Sequence, residues 1–127
     1  MSSALTRGIL VTVHSQYIPE KSSAAARQYA FAYTVNIANR GTVTAKLETR
    51  HWIITDSEGD VQEVRGEGVV GAQPELQPGE EFEYTSWCMI ATPVGTMRGS
   101  YQMVTADGDR FDAEVAPFRL DQAALLN

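Results

Sequence analysis

A two-residue rhythm constrains this chain more than any other feature. Tyr29, Phe31, Tyr33, Val35 and Ile37 alternate with Ala30, Ala32, Thr34, Asn36 and Ala38, the spacing that sends successive side chains to opposite faces of a strand. One face is built for burial and the other is small and polar. Ile9, Val11 and Val13 repeat the pattern, as do Phe82, Tyr84, Ser86, Cys88 and Ile90. Further runs rich in β-branched and aromatic residues predict strands near 46–55, 61–65, 97–104 and 111–116, about seven strands in all.

Turn chemistry separates these runs. Asn39-Arg40-Gly41, Ser57 to Asp60, Pro78-Gly79 and Asp107-Gly108 each suit a tight reversal. Asp107-Gly108 is expected to form a two-residue type I′ hairpin turn. Two longer segments, 19–27 and 72–80, lack the rhythm, and the second holds Pro74 and Pro78; both are expected to cross between sheets. Residues 1–7 and 121–127 are expected as flexible ends, with a helical turn available to Asp121 to Leu126. The pattern implies one all-β domain over 1–127, a two-sheet antiparallel sandwich of immunoglobulin-like or fibronectin type III-like form.

Composition narrows the function classes. With 127 residues, 43% of them hydrophobic and 20% charged, the chain has material for one core. Ten basic against sixteen acidic residues give a net charge of −6, which argues against nucleic acid held by phosphate neutralisation. Cys88 is the only cysteine, so neither an internal disulfide nor a thiolate metal site is expected, and a reducing, cytoplasmic setting fits. Met1 to Arg7 lacks the organisation of a secretion signal, and no window approaches the apolar length of a membrane span.

Gly66-Glu67-Gly68-Val69-Val70-Gly71 matches the G-x-G-x-x-G pattern of pyrophosphate-binding loops. Such loops open a helix, whereas Ala72-Gln73-Pro74 follows here, and Glu67 places a negative charge inside the loop. The structural reading is a bend where a strand leaves its sheet. Asp56, Glu58 and Asp60 have the spacing of calcium-loop ligands, but Val61 stands where that loop needs glycine. His14 and His51 are too few for a zinc centre without carboxylates, so no metal or cofactor site is assigned.

Cys88 shares a face with Phe82, Tyr84 and Ile90 and is read as core. Ser86, Thr85 and His51 lack the strained turn of a nucleophile elbow, and Glu80, Glu81 and Glu83 read as a charged sheet edge. No catalytic residue is assigned. Arg50, Trp52 and Ile54 share one face of their strand; if that face is the core, Trp52 is its centre and Arg50 must reach a sheet margin, and if it faces solvent, Arg50 and Trp52 form a binding patch. The core is favoured, because a sandwich this small needs a bulky residue between its sheets. Trp87 faces away from Phe82, Tyr84 and Cys88, which leaves its indole available to a partner.

The segments Tyr29 to Asn39, Arg50 to Asp56, Gly66 to Pro74, Pro78 to Glu80, Tyr84 to Ser86 and Thr92 to Met103, taken in order, resemble the bacterial ApaG family. Trp87-Cys88 differs from the family pattern, which has glycine and a small residue there. The resemblance implies a fibronectin type III-like sandwich, a domain also found in F-box and polymerase-interacting proteins, and a link with cobalt and magnesium resistance. It also implies that Gly66, Gly68 and Gly71 are candidates for pyrophosphate.

Two functions are therefore expected. The first is a non-enzymatic interaction module whose candidate contacts are Arg50, Gly66, Gly68, Gly71, Gln73 and Trp87. Its partner is an unidentified protein, with no nucleic acid or membrane, and its oligomeric state is open. The alternative is a protein that binds polyphosphate or a dinucleotide through loop 66–71, with a divalent metal.

Overall fold

The computed structural model describes residues 1–123. Two antiparallel sheets face each other. The first has the order β1-β2-β3-β7, formed by β1 (Ser2–Thr6), β2 (Ile9–Tyr17), β3 (Tyr29–Asn39) and β7 (Glu81–Ile90). The second has the order β5-β4-β8-β9, formed by β4 (Ala45–Asp56), β5 (Val61–Glu67), β8 (Val94–Thr105) and β9 (Arg110–Asp121), with the two-residue β6 (Glu75–Leu76) paired to the start of β4. The sandwich predicted by alternation is present, and so are its seven expected strands.

β1 and β6 were not expected. Ser2–Thr6 lies within the end predicted to be flexible, yet it pairs along β2 from Ser2–Val13 to Thr6–Ile9. The 19–27 segment is also corrected. It does not cross between sheets, because β2 and β3 are adjacent in one sheet; instead it turns through a 3-10 segment at Pro19–Lys21 and an isolated Ser23–Gln28 bridge. Segment 72–80 does cross, leading from β5 through β6 to β7. The terminal helical turn over Asp121 to Leu126 falls mainly outside the described residues, and Asp121 itself ends β9.

The turns follow different chemistry from that expected at Asp107-Gly108. Only Gly108 has a positive φ there, and Gly108 N–H donates to the Thr105 carbonyl while Thr105 N–H donates to that of Asp109. This is a three-residue turn with a glycine bulge. Type I′ geometry occurs instead at Arg7-Gly8 and Val70-Gly71, where both central residues have positive φ.

Inward residues of β2, β3, β4, β7, β8 and β9 meet between the sheets. Trp52, 2% exposed, is the centre: its ring packs on Tyr33, Tyr101 and Phe118 at centroid distances of 5.4, 5.9 and 6.0 Å. Ile9, Val11, Val13, Val35, Ile37, Met97 and Leu120 lie in the same core. Such aromatic contacts add about 0.5–1.5 kcal/mol each beyond area burial.

The two lateral margins differ. On one, β1 and β2 pack against β9, with Ser15 Oγ donating to the Arg119 carbonyl at 2.9 Å. On the other, β5 contacts β4 and β7 contacts β3, and the two free edges are linked by Gln62 Nε2, which donates to the Met89 carbonyl at 3.1 Å.

Candidate functional site

A bulge in β4 begins the construction. The pairing of β4 with β8 shifts register between Leu47 and Thr49, which releases the Glu48 carbonyl from the ladder. That oxygen accepts the Gly68 N–H at 2.8 Å and Gln73 Nε2 at 2.9 Å. The chain leaving β5 is thereby tied down at both ends of its turn.

Arg50 lies two residues from Trp52 on the inward face and extends to the margin, as the burial of Trp52 requires. Its Nη1 donates to the Glu67 carbonyl at 3.0 Å and the Gly68 carbonyl at 2.9 Å. The guanidinium crosses directly above Gly66, where a Cβ would lie 2.7 Å from Nη1. Gly66 is thus the floor on which an arginine rests.

The remainder of the glycine motif is a hairpin. Val69 N–H donates to the Ala72 carbonyl and Ala72 N–H to that of Val69, at 2.8 and 2.9 Å, around the Val70-Gly71 turn. Gly68 has a φ of +60°, and a Cβ there would lie 2.3 Å from the Ala72 carbonyl oxygen. A phosphate loop needs free amides at a helix N-terminus. Here the amides of Gly68, Val69 and Ala72 are engaged internally, Val69 is buried, and strand geometry follows.

The outer face of the five-stranded sheet carries a shallow trough of 530 Å³ beside this corner, lined by Thr49, Arg50, His51, Arg65, Gly66, Glu67, Gln102 and Asp112. Its polar groups are paired with one another. His51 Nε2 meets Glu63 Oε2 at 2.5 Å, and Arg65 bonds the same carboxylate at 3.3 Å. The His51 hydrogen bond, more than the Arg65 charge, holds the Glu63 carboxyl below its usual value. Thr49 Oγ1 donates to Gln102 Oε1 at 2.8 Å, and Gln102 Nε2 donates to Ser100 Oγ at 2.9 Å.

Behind Arg50, the hydroxyls of Tyr84 and Tyr101 bond to each other inside the core. Burial pushes both phenols well above the ordinary tyrosine range and raises that of Tyr33. The nearby Arg50 charge opposes this only weakly, so the cluster stays neutral.

Among the sequence candidates, Arg50 and Gly66 meet at the trough, while Gly68 and Gln73 converge on the Glu48 carbonyl beneath it. Gly71 sits at the hairpin tip and Trp87 belongs to the opposite sheet. The pairing of His51 with Glu63 was not foreseen, since the carboxylate comes from the neighbouring strand through a register that local sequence does not reveal.

The ApaG domain family matches residues 19–105. The chain belongs to the ApaG family. Protein ApaG of Nitrosospira multiformis is 56% identical over 119 residues, covering 94% of each chain. Protein ApaG of Anaeromyxobacter dehalogenans is 54% identical over 127 residues, the whole of both chains. Among solved structures, the ApaA protein of Bordetella pertussis superposes with a TM-score of 0.88 at 52% identity, covering 91% of this chain and 94% of that one.

The remaining features of this ApaG chain bear on metal, thiol and partner chemistry. The carboxylates of Asp56, Glu58 and Asp60 lie within 4.8 Å of one another. Asp56 Oδ1 accepts the backbone N–H groups of Glu58 and Asp60 at 2.9 and 3.0 Å, and Glu58 pairs with Arg27. These acids shape the β4–β5 turn.

Cys88 is half-buried against the core, and burial pushes its thiol up to about 12. Its neighbour Trp87 is 51% exposed, with the Lys21 ammonium 5.5 Å from its ring centroid. No helix among the described residues is long and apolar enough to cross a membrane.

Proposed function

We propose that this ApaG chain is a non-enzymatic protein-interaction module working in the cytoplasm. The exposed indole of Trp87 carries the reading. It stands on the outer face of the four-stranded sheet, where registered rows run Gln16–Ala32–Trp87 and His14–Thr34–Thr85. A depression of 330 Å³ lies among His14, Ser15, Gln16, Ala32, Thr34 and Thr85. Tryptophan is among the residue types most enriched at protein-binding hot spots, and here it stands half exposed on a sheet face that is otherwise unpartnered among the described residues.

The strand order β2-β3-β7 facing β5-β4-β8-β9 supports a fibronectin type III-like connectivity, a form that presents faces and edges to partners. We read the family link with cobalt and magnesium resistance as acting through the partner, since the acids at 56–60 are committed to their turn. The polyphosphate reading lacks comparable support, because the amides of Gly68 and Val69 already donate to the Glu48 and Ala72 carbonyls.

Immobilised chain should capture a protein from a bacterial lysate, and the Trp87→Ala chain should bind that purified protein more weakly by about 2 kcal/mol, roughly 30-fold. Equal binding by both chains, or no capture at micromolar concentration, removes the reading.

A further inference from the structure

Among the described residues β7 is a long free edge, and natural sheets guard such edges with charge, proline or bulges. From Tyr84 to Ile90 it carries none of these: the residues are uncharged, proline is absent, and its pairing with β3 runs without a register shift. The guard is confined to Glu81 and Glu83 at one end.

Hydrogen-bond parity fixes which groups are free. Asn39 N–H donates to the Glu80 carbonyl at 2.9 Å, and in an antiparallel ladder bonded pairs recur at every second residue. Ile37–Phe82, Val35–Tyr84, Tyr33–Ser86 and Phe31–Cys88 therefore use their backbone groups within the sheet. The N–H and C=O groups of Glu83, Thr85 and Trp87 point outward. The Met89 carbonyl also points outward, and there Gln62 already occupies it.

We propose that this edge pairs antiparallel with the same edge of a second copy of the chain, about a two-fold axis at Thr85. The three outward-pointing residues have the parity this needs. Thr85 faces Thr85 of the second copy, and Glu83 faces the second copy's Trp87 in both directions. Lys21, which stands over Trp87, is thereby brought to Glu83 of the other molecule, so the acidic end of each edge meets the cationic end of its mate. On the inner face the same register sets half-buried Phe82 beside half-buried Cys88. Backbone bonds, charge and apolar contact all match in the one register, which is the self-complementarity an isologous interface requires.

The pairing goes beyond the foreign partner proposed above and does not depend on it. A short edge contact of this kind is a weak interface, with Kd of about 100 µM.

Sedimentation velocity on the full chain should show a reversible dimer over this concentration range. On dilution, the amide NMR signals of Glu83, Thr85 and Trp87 should move while those of Tyr84 and Ser86 stay. Thr85→Pro removes an outward N–H without touching the β3 ladder and should give a monomer. Lys21→Glu and Glu83→Lys should each weaken the dimer about tenfold, and the double exchange should restore it. These surface exchanges keep the test decisive if the proline variant fails to fold.

A wild-type chain that stays monomeric at about 1 mM overturns the proposal. So does a dimer indifferent to Thr85→Pro, or one that the double exchange does not restore. A monomeric chain whose captured partner is lost on Thr85→Pro also overturns it, because the edge then serves a foreign strand. Capture that survives Thr85→Pro leaves the Trp87 reading standing whatever the sedimentation result.

Discussion

The guanidinium of Arg50 lies across Gly66, so close that a Cβ at that position would sit 2.7 Å from Nη1 and 2.8 Å from Cζ. The first glycine of the G-x-G-x-x-G motif is therefore explained by a neighbouring strand's arginine. Gly66→Ala should cost about 2 kcal/mol, by displacing Arg50 from the Glu67 and Gly68 carbonyls. Arg50→Ala should cost a similar amount. Combined, the two should fall short of their sum by about 1 kcal/mol, because each removes the same contact. Additive losses in urea denaturation would show that Gly66 has another purpose.

The second half of the motif offers a stabilising change. Val70 has a φ of +43°, is 62% exposed and precedes Gly71 in a type I′ turn. A β-branched residue is strained in that region. Val70→Asn supplies the Asn-Gly pair preferred by such turns and should raise stability by about 1 kcal/mol, shifting Tm upward by about 3 °C. An unchanged or lowered Tm by calorimetry would contradict this account of the turn.

What the sequence made legible follows from where each residue's constraint is local. β7 and the middle of β3 alternate because one face meets the core and the other meets water, and the outward face of Trp87 follows from that rhythm. Alternation along β4 leaves the face of Trp52 open, and only the need for a bulky residue between two small sheets assigns it to the core. β1 was missed because Ser2–Thr6 is short and small, and its large apolar residue, Leu5, is 65% exposed. The Val70-Gly71 turn was hidden by a valine where asparagine is ordinary. The approach of Gly68 and Gln73 to Glu48 depends on the bulge in β4, and His51 finds Glu63 only through the β4–β5 register. Contacts made by register across strands have no signature along one strand.

Asn39 joins two crossover loops from a buried position at 2% exposure. Its Nδ2 donates to the Val43 and Leu76 carbonyls, both at 2.9 Å, and its Oδ1 accepts the Gly41 N–H at 2.9 Å. Asn39→Ala strands buried backbone groups in both loops and should cost about 3 kcal/mol. Asn39→Asp keeps the acceptor but loses the donors and should be nearly as damaging. Urea midpoints within the range of surface variants would refute this role.

Glu63 supplies a pH dependence of defined sign. Its folded pKa lies below the usual 4.5, first because of the His51 hydrogen bond. A lowered carboxylate pKa means that the unfolded chain binds protons more readily. The contribution is complete above pH 4.5 and disappears as pH falls through the folded value. Glu63→Gln should flatten that part of the acid limb of stability against pH, and His51→Ala should return the Glu63 carboxyl toward its ordinary titration by NMR. Titration of Glu63 at its usual value in the wild-type chain would remove the pair from the account.

Cys88 tests whether the margin between β7 and β5 is dry enough to silence a thiol. With its pKa pushed up to about 12 by burial, the thiolate fraction at pH 8 is about 10⁻⁴. Alkylation by iodoacetamide in the folded chain should be at least ~100-fold slower than in urea, since the thiolate is the reacting form. The folded rate should rise about tenfold per pH unit through pH 8–10. Rapid modification of the untouched wild-type fold would mean that water reaches the sulfur and that the inner face of β7 is less closed than its neighbours Phe31 and Ile90 make it.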